Sequence, residues 1–231
     1  MATRVQWLGH STLLVESDGR RILIDPFLTG NPSATAKADE VEADYVLVSH
    51  GHSDHVADAV SIAKRCGATV VTNFELGNWF TGQGVEKVHG MQHGGGHQLD
   101  PTVHVKLTLA FHGSTLPDGS GYGGNPCGFL LTCADGSRIY DAADTGLFGD
   151  MRLIGEEGLD LAILPIGDYY TMGPADSIRA VKLLEPKAVL PIHYDTFPPI
   201  KQDVQAWAAR VAAETSARPV VLPVGGWHPV R

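Results

Sequence analysis

The sequence predicts an α/β fold in which two mixed β-sheets pack face to face with helices on the outside. Strand-rich stretches near the start and in the middle of the chain are each followed by alternating helical and strand-like segments. The strands in the alternating stretches are apolar without a polar face, as strands covered on both sides must be. No linker or low-complexity tract interrupts the 231 residues, and Gly94-Gly95-Gly96 and the glycines of 119–124 are too short to separate domains, so residues 1–231 read as one domain. With 43% hydrophobic and 19% charged residues, the chain has the apolar material for a sizeable core.

Residues 5–8, 12–16 and 21–25 read as short strands, with Ser17-Asp18-Gly19 as the turn between the last two. Asp25-Pro26 ends the third, because proline has no N–H for a ladder. Residues 30–40, rich in Gly, Asn, Pro, Ser and Ala, read as a loop, and 45–49 as a buried strand. A helix is expected over 56–66, with Ala59, Ile62, Ala63 and Cys66 on one face and Gly67 at its end. After a strand at 69–72, Asn73 caps a helix running through Phe80, which Gly82 and Gly84 terminate. Residues 103–111 alternate as a strand. Residues 128–132 and 138–140 form a hairpin about Ala134-Asp135-Gly136, and 141–144 follow it. Helices at 147–155, 174–184 and 201–215 then alternate with strands at 159–165, 188–192 and 220–224.

Charge and cysteine content narrow the function. A formal charge of −9 argues against a nucleic-acid partner, which needs a basic face, and Arg20-Arg21 and Lys64-Arg65 are only short solvated pairs. Cys66, Cys127 and Cys133 fit neither a disulfide framework nor a Cys-x-x-Cys metal site, and are expected as free thiols in a reducing cytoplasm. Neither a signal peptide nor an apolar run of membrane-spanning length is seen. A cytoplasmic protein acting on a small molecule is expected, with no membrane or nucleic-acid partner and with homo-oligomerisation left open. Neither a Gly-x-Ser-x-Gly elbow nor a Gly-x-Gly-x-x-Gly loop after a strand is present.

The chemistry is concentrated in His50-Gly51-His52-Ser53-Asp54-His55, which follows the apolar run Tyr45-Val46-Leu47-Val48. A strand ending there delivers three imidazoles and a carboxylate into one tight loop, a donor set suited to Zn²⁺, Mn²⁺ or Fe²⁺. His50 and His52, two apart on extended chain, can face one cation, while Asp54 and His55 continue round the turn toward a second. Other strand ends supply further candidates: His112 after 107–111, His193 after 189–192, and Asp144 as an acidic bridge. Asp141 competes with Asp144; being three apart in a strand they face opposite sides, so only one can point at the metals.

The spacing His-x-His-x-Asp-His, followed in order by Ala110-Phe111-His112, Asp144-Thr145-Gly146 and Pro191-Ile192-His193-Tyr194, resembles the metallo-β-lactamase superfamily over nearly the whole chain. Gly9-His10-Ser11, Asp25-Pro26 and Tyr170-Thr171-Met172-Gly173-Pro174 resemble its metal-dependent hydrolase branch near L-ascorbate-6-phosphate lactonase. The resemblance implies a four-layer αβ/βα sandwich with two divalent metal ions, zinc by default and manganese, iron or nickel as alternatives. His50, His52 and His112 would hold the first ion, Asp54, His55 and His193 the second, and Asp144 would bridge. Thr-Gly after Asp144 favours that residue as the bridge, although the family more usually has Gly where Ala143 stands. Two cations about 3.5–4 Å apart share a water and make hydroxide available near neutral pH. The expected reaction is cleavage of an ester, lactone or related bond of a small polar substrate, with Asp54 as ligand and proton acceptor. A phosphodiesterase or nuclease, or a non-catalytic metal sensor, is the alternative.

Other positions carry weaker expectations. Asp25 either orients the ligand loop or merely ends a strand, and the first is preferred. His10 is a catalytic candidate that orients substrate or gives a proton, or else pins a turn. Tyr170, Thr171 and Tyr194 are candidate pocket residues, and Thr196 shares the ambiguity of Tyr194. His93 and His97 read as flanks of a mobile polar loop, and His89, His104 and His228 as incidental.

Overall fold

Side-chain alternation along the first strands divides them between two cores. In the computed structural model, which describes residues 2–231, β1 (Arg4–Gly9) sends Val5 and Trp7 into one apolar cluster and Leu8 into another. β2 (Thr12–Ser17) splits Leu13 and Val15 from Leu14, and β3 (Arg20–Ile24) splits Ile22 and Ile24 from Leu23, as period-two chains between two apolar layers must. β4 (Tyr45–Val48) is followed by the single turn α1 (Ser53–Val56), then α2 (Ala59–Cys66), β5 (Thr69–Asn73), α3 (Phe74–Gly82) and β6 (Val88–Met91). β1 to β3 are antiparallel and β3 to β6 parallel, with α2 and α3 covering the outer face through Ile62, Ala63, Leu76 and Phe80.

The second half repeats the plan. β7 (Gly96–Asp100), β8 (Val103–Leu109), β9 (Cys127–Cys133) and β10 (Arg138–Asp141) form an antiparallel meander. After α4 (Met151–Gly155) come β11 (Leu161–Pro165), α5 (Pro174–Leu184), β12 (Ala188–Ile192), a 3₁₀ turn at Pro198–Ile200, α6 (Val204–Glu214) and β13 (Arg218–Pro219), and β10 to β13 run parallel. β14 (Trp227–Pro229) returns to pair with β1. Among the described residues the result is two seven-stranded sheets with helices outside, the predicted α/β sandwich. The inner faces of both sheets meet in one apolar layer that includes Leu47, Val71, Leu107, Phe129 and Ile139.

Several boundaries differ from expectation. The helix expected at 56–66 is two pieces, with Asp58 between them, whose carboxylate accepts the N–H groups of Leu28 and Thr29 at 2.7 and 2.9 Å. The helix expected at 147–155 is confined to α4. No strand forms at 220–224; the pairing with β12 is made just before it, by the two residues of β13, and Pro223 offers no ladder donor further on. The stretch around His93–Gly96 is not a loose loop. Gly94 N–H donates to Leu107 O at 2.8 Å, Leu107 N–H to Gly95 O at 3.0 Å, and His93 Nε2 bonds Pro126 O at 2.8 Å. It joins the edge strands β6 and β7, where His89 and His97 stack with centroids 3.9 Å apart. Cys66, Cys127 and Cys133 are free thiols, and no described helix is long and apolar enough to cross a membrane.

Candidate metal centre

Both sheets change from antiparallel to parallel pairing, at β3 and at β10, and α/β sheets with parallel strands place their sites outside the carboxyl ends of those strands. Asp25 follows β3 and Asp144 lies just beyond β10. His50 follows β4, His112 follows β8 and His193 follows β12, while His10 sits in the β1–β2 turn. All meet at one edge of the sandwich. The backbone is bent to bring them there: His10, Asp25, Ala143 and His193 have φ of +53°, +45°, +51° and +54°, a left-handed conformation costing about 1–2 kcal/mol per non-glycine residue. Strain gathered in this way is a mark of functional sites.

Gly51, the residue between the first two histidines, is dictated by space. A Cβ there would collide with the carbonyl oxygen of Thr115, and the Gly51 N–H donates to Ser114 Oγ at 3.2 Å. The 113–124 segment therefore braces the ligand loop from behind.

Asp25 organises the loop from beneath. Its Oδ1 accepts the Ser49 N–H at 2.8 Å, and its Oδ2 takes the Ser49 hydroxyl at 2.5 Å and His55 Nδ1–H at 2.8 Å. With its own proton given to Asp25, Ser49 Oγ must accept from His50 Nδ1, 2.9 Å away. The Nε2 atoms of His50 and His55 are thereby turned toward the centre. His50 Nε2 lies 2.9 Å from His52 Nδ1, which lies 3.3 Å from His112 Nε2. Asp144 Oδ2 sits 3.1 Å from His193 Nε2, 3.3 Å from His55 Nε2 and 3.5 Å from His112 Nε2.

Three compact groups of donors have ligand atoms within 4.8 Å of one another: Asp25/His50/His55, in which Asp25 is already bonded to His55 and Ser49, and the two that face the centre, His50/His52/His112 and His10/Asp54/His55/His193. Asp144 touches members of both. His55 Nε2 and Asp144 Oδ1 are buried without a hydrogen-bond partner, a costly state for polar atoms. Nitrogen lone pairs and carboxylates converging at this distance fit a divalent cation, which satisfies the orphaned atoms and cancels the repulsion.

The electrostatics agree. Burial, then the charge of His55, holds His50 well below the ordinary imidazole value, and burial likewise lowers His52 and His112. Burial also opposes a proton on His55, yet the flanking Asp144 and Asp25 carboxylates prevail and raise its pKa well above 6.5. Burial pushes Asp144 upward, but His193 and His55 outweigh it and hold the carboxyl ionised. A proton on His55 and a cation thus compete for one position. Asp141 is buried, is in none of the donor groups, accepts the Ala143 N–H at 3.0 Å, and is pushed up to about 8 by burial and by Asp25.

His10 is fully buried and tilted against His193 with ring centroids 4.0 Å apart. Burial drives its pKa down to about 4, so the ring is neutral at pH 7. Asp54 is pushed up by burial, but the bond from His10 and the charge of His55 leave it below the ordinary carboxylate range. An ionised carboxylate only accepts, so His10 Nε2–H donates to Asp54 Oδ2 at 3.2 Å. Nδ1 of the neutral ring must then accept, from the Thr196 hydroxyl 2.9 Å away.

A cavity of about 370 Å³ opens over these groups. His52, Asp54, His112, Asp144, His193 and Ser53 give it a polar lining, and Phe27, Tyr170 and Phe197 an aromatic one. Tyr170 is thus among the lining residues. Thr171 is not among the lining residues, and its hydroxyl donates to Met172 O at 3.2 Å. Tyr194 is corrected: it does not line the cavity but is buried in the core just beyond β12 and stacked on Trp7, with centroids 5.3 Å apart. Phe27 and Phe197 were not anticipated, since an aromatic residue in a loop belongs to no periodic pattern. Ser49 was missed as well, and its only signal was its place between a strand and the first ligand.

Comparison with known proteins agrees with this architecture. The model of the beta-lactamase superfamily domain matches residues 4–193. A UPF0173 metal-dependent hydrolase of Pelotomaculum thermopropionicum is 52% identical over 226 residues, covering 96% of this chain and 97% of the relative. One from Thermus thermophilus is 50% identical over 206 residues, covering 89% and 90%. The solved structure of Igni18, a metallo hydrolase from the archaeon Ignicoccus hospitalis, superposes with a TM-score of 0.90 at 34% identity, covering 99% of this chain and 98% of that one. The chain belongs to the metallo-β-lactamase superfamily, among its UPF0173 metal-dependent hydrolases.

Proposed function

We propose that the protein is a two-metal hydrolase that cleaves an ester, lactone or related acyl bond of a small molecule. The observation that carries this reading is Asp144, one carboxylate within 3.5 Å of histidines from both donor groups. His50, His52 and His112 would hold one ion and Asp54, His55 and His193 the other, with Asp144 between them. Divalent ions, zinc by default for so many imidazoles, supply Lewis-acid polarisation of the scissile carbonyl and of water. Asp54 lines the cavity as an anion, accepts the hydrogen bond of the attacking water and takes its proton. His10 holds that carboxylate through Nε2–H, and its neutral ring keeps the arrangement intact at pH 7. Asp25 keeps His50 and His55 in the orientation that aims both Nε2 atoms inward.

Elemental analysis of the purified protein, followed by assays with p-nitrophenyl esters, lactones, thioesters and bis-p-nitrophenyl phosphate, tests the proposal. Two equivalents of metal and hydrolysis of an acyl substrate are expected, with loss of roughly a hundredfold or more in His52→Ala and Asp54→Ala. Turnover that survives both substitutions overturns the mechanism. Turnover of the phosphodiester alone would replace the acyl class.

A further inference from the structure

We propose that the group attached to the scissile bond is flat, apolar and uncharged, and is recognised by Phe27, Phe197 and Tyr170; this rests on the hydrolase reading above. The cavity of about 370 Å³ encloses a compact group while the rest of a ligand extends toward solvent past Tyr170. Away from the metal-ligating groups its lining is Phe27, Phe197 and Tyr170, with Ser53 as the one polar side chain. Phe27 and Phe197 lie with ring centroids 6.4 Å apart, and both approach His10 edge-on at 5.7 and 5.6 Å. Tyr170 stands 54% exposed at the same cavity. A planar substituent gains offset or edge-to-face contact with such rings at little entropic cost, because few torsions need fixing.

The charge of the lining points the same way. No Lys or Arg is among the residues that line the cavity, and its two carboxylates, Asp54 and Asp144, are those assigned to the metals. A phosphate or carboxylate on the substrate, reaching away from the metals, would lose its hydration among the rings and find Ser53 as the one polar partner in that part of the lining. A phosphorylated lactone is therefore a poor fit, and the proposed substrate narrows to one whose main polar part is the bond being cleaved.

The test uses the metal-loaded protein and three hydroxamates, which chelate metals and are not turned over: acetohydroxamate, benzohydroxamate and 4-carboxybenzohydroxamate. Dissociation constants are measured by calorimetry. Benzohydroxamate is expected to bind at least about tenfold tighter than acetohydroxamate, and the para-carboxylate to cancel that gain. In Phe197→Ala and in the more exposed Tyr170→Ala, each checked by circular dichroism, the ratio of benzo- to acetohydroxamate affinity should fall toward one. Equal binding of the first two ligands by the native chain, or tighter binding of the carboxylated one, overturns the inference and leaves the metal centre standing. Failure of all three to bind removes the metal centre, and with it this inference.

Discussion

At Gly51 the ligand loop touches the 113–124 segment so closely that one methyl group decides the geometry. Gly51→Ala should drive the loop and Thr115 apart at a cost of about 1–3 kcal/mol and lower the metal content of purified protein. Gly113→Ala is the control. Its Cβ would lie 4.0 Å from the His52 ring, an ordinary contact, and metal content should not change. Equal metal content in both variants would show that the loop is not braced there. Asp25 acts through charge rather than space. Asp25→Asn removes the carboxylate that accepts from both Ser49 Oγ and His55 Nδ1, so metal affinity measured against a competing chelator should fall by roughly 10–100-fold. Thr196 acts on a tautomer. Thr196→Val removes the donor that keeps the proton on His10 Nε2, whereas Thr196→Ser retains it. The valine variant should lose roughly tenfold or more in kcat with its pH profile altered, and the serine variant should restore both. Identical profiles for the two would confine Thr196 to packing.

The six-residue motif was readable because it lies in one turn after one apolar strand, so ligand type and spacing survive in the linear sequence. His112, Asp144 and His193 were readable only as strand ends, since pairing of β8, β10 and β12 is what brings them together. β6, β7 and β14 escaped because edge strands such as His89-Gly90 and Gly96-His97 lack the alternation that burial on one face imposes. Phe27 and Phe197 escaped because tertiary placement alone turns their rings into the cavity. The imidazoles spread over these elements also set a pH dependence for the metal-free protein. Burial depresses His10, His50, His52 and His112 below 6.5, so the stability they allow is complete above 6.5 and declines as the pH falls, with the His10 part exhausted near 4. His55 is raised, so its contribution is complete below 6.5 and is lost as the pH rises through its folded value. Asp141, which burial keeps protonated up to about 8, is likewise less favourable as the pH rises from the ordinary carboxylate range to that value. These four, joined by His89 and His228, which burial also lowers, and at lower pH by Asp54 and Asp144, act on the acid side against Asp141, and His55 with Asp141 acts on the alkaline side. Melting temperatures of chelator-treated protein should therefore peak near pH 6.5 and fall more steeply toward acid. With metal bound His55 carries no proton on Nε2, and the alkaline decline should flatten. A melting temperature that rises steadily toward acid would contradict the assignment of these charges.

The whole molecule joins two copies of one plan along an apolar layer, and the donor groups lie across the seam. Asp25, His50, His52, Asp54 and His55 come from the first sheet's strand ends, and His112, Asp144 and His193 from the second's. Filling the site therefore ties the sheets together in a way that no ligand held by one half could. Unfolding scatters these donors over more than 140 positions of chain, so the unfolded state retains little of the affinity. A ligand that binds only the folded state stabilises it by about 2.7 kcal/mol at a free concentration 100 times its dissociation constant. For a chain of this length that corresponds to a rise of about 5–10 °C in melting temperature. Calorimetric scans with added zinc and with chelator should differ by that amount in the native chain. The difference should shrink strongly in Asp144→Asn, where the carboxylate common to both donor groups becomes a neutral amide. Urea unfolding adds a second readout: a fluorescence transition reporting Trp7 in the first sheet and one reporting Trp207 near the second should coincide with metal bound. If chelation leaves the melting temperature unchanged, the donors do not act across the seam, and the convergence at Asp144 carries no energy between the two halves.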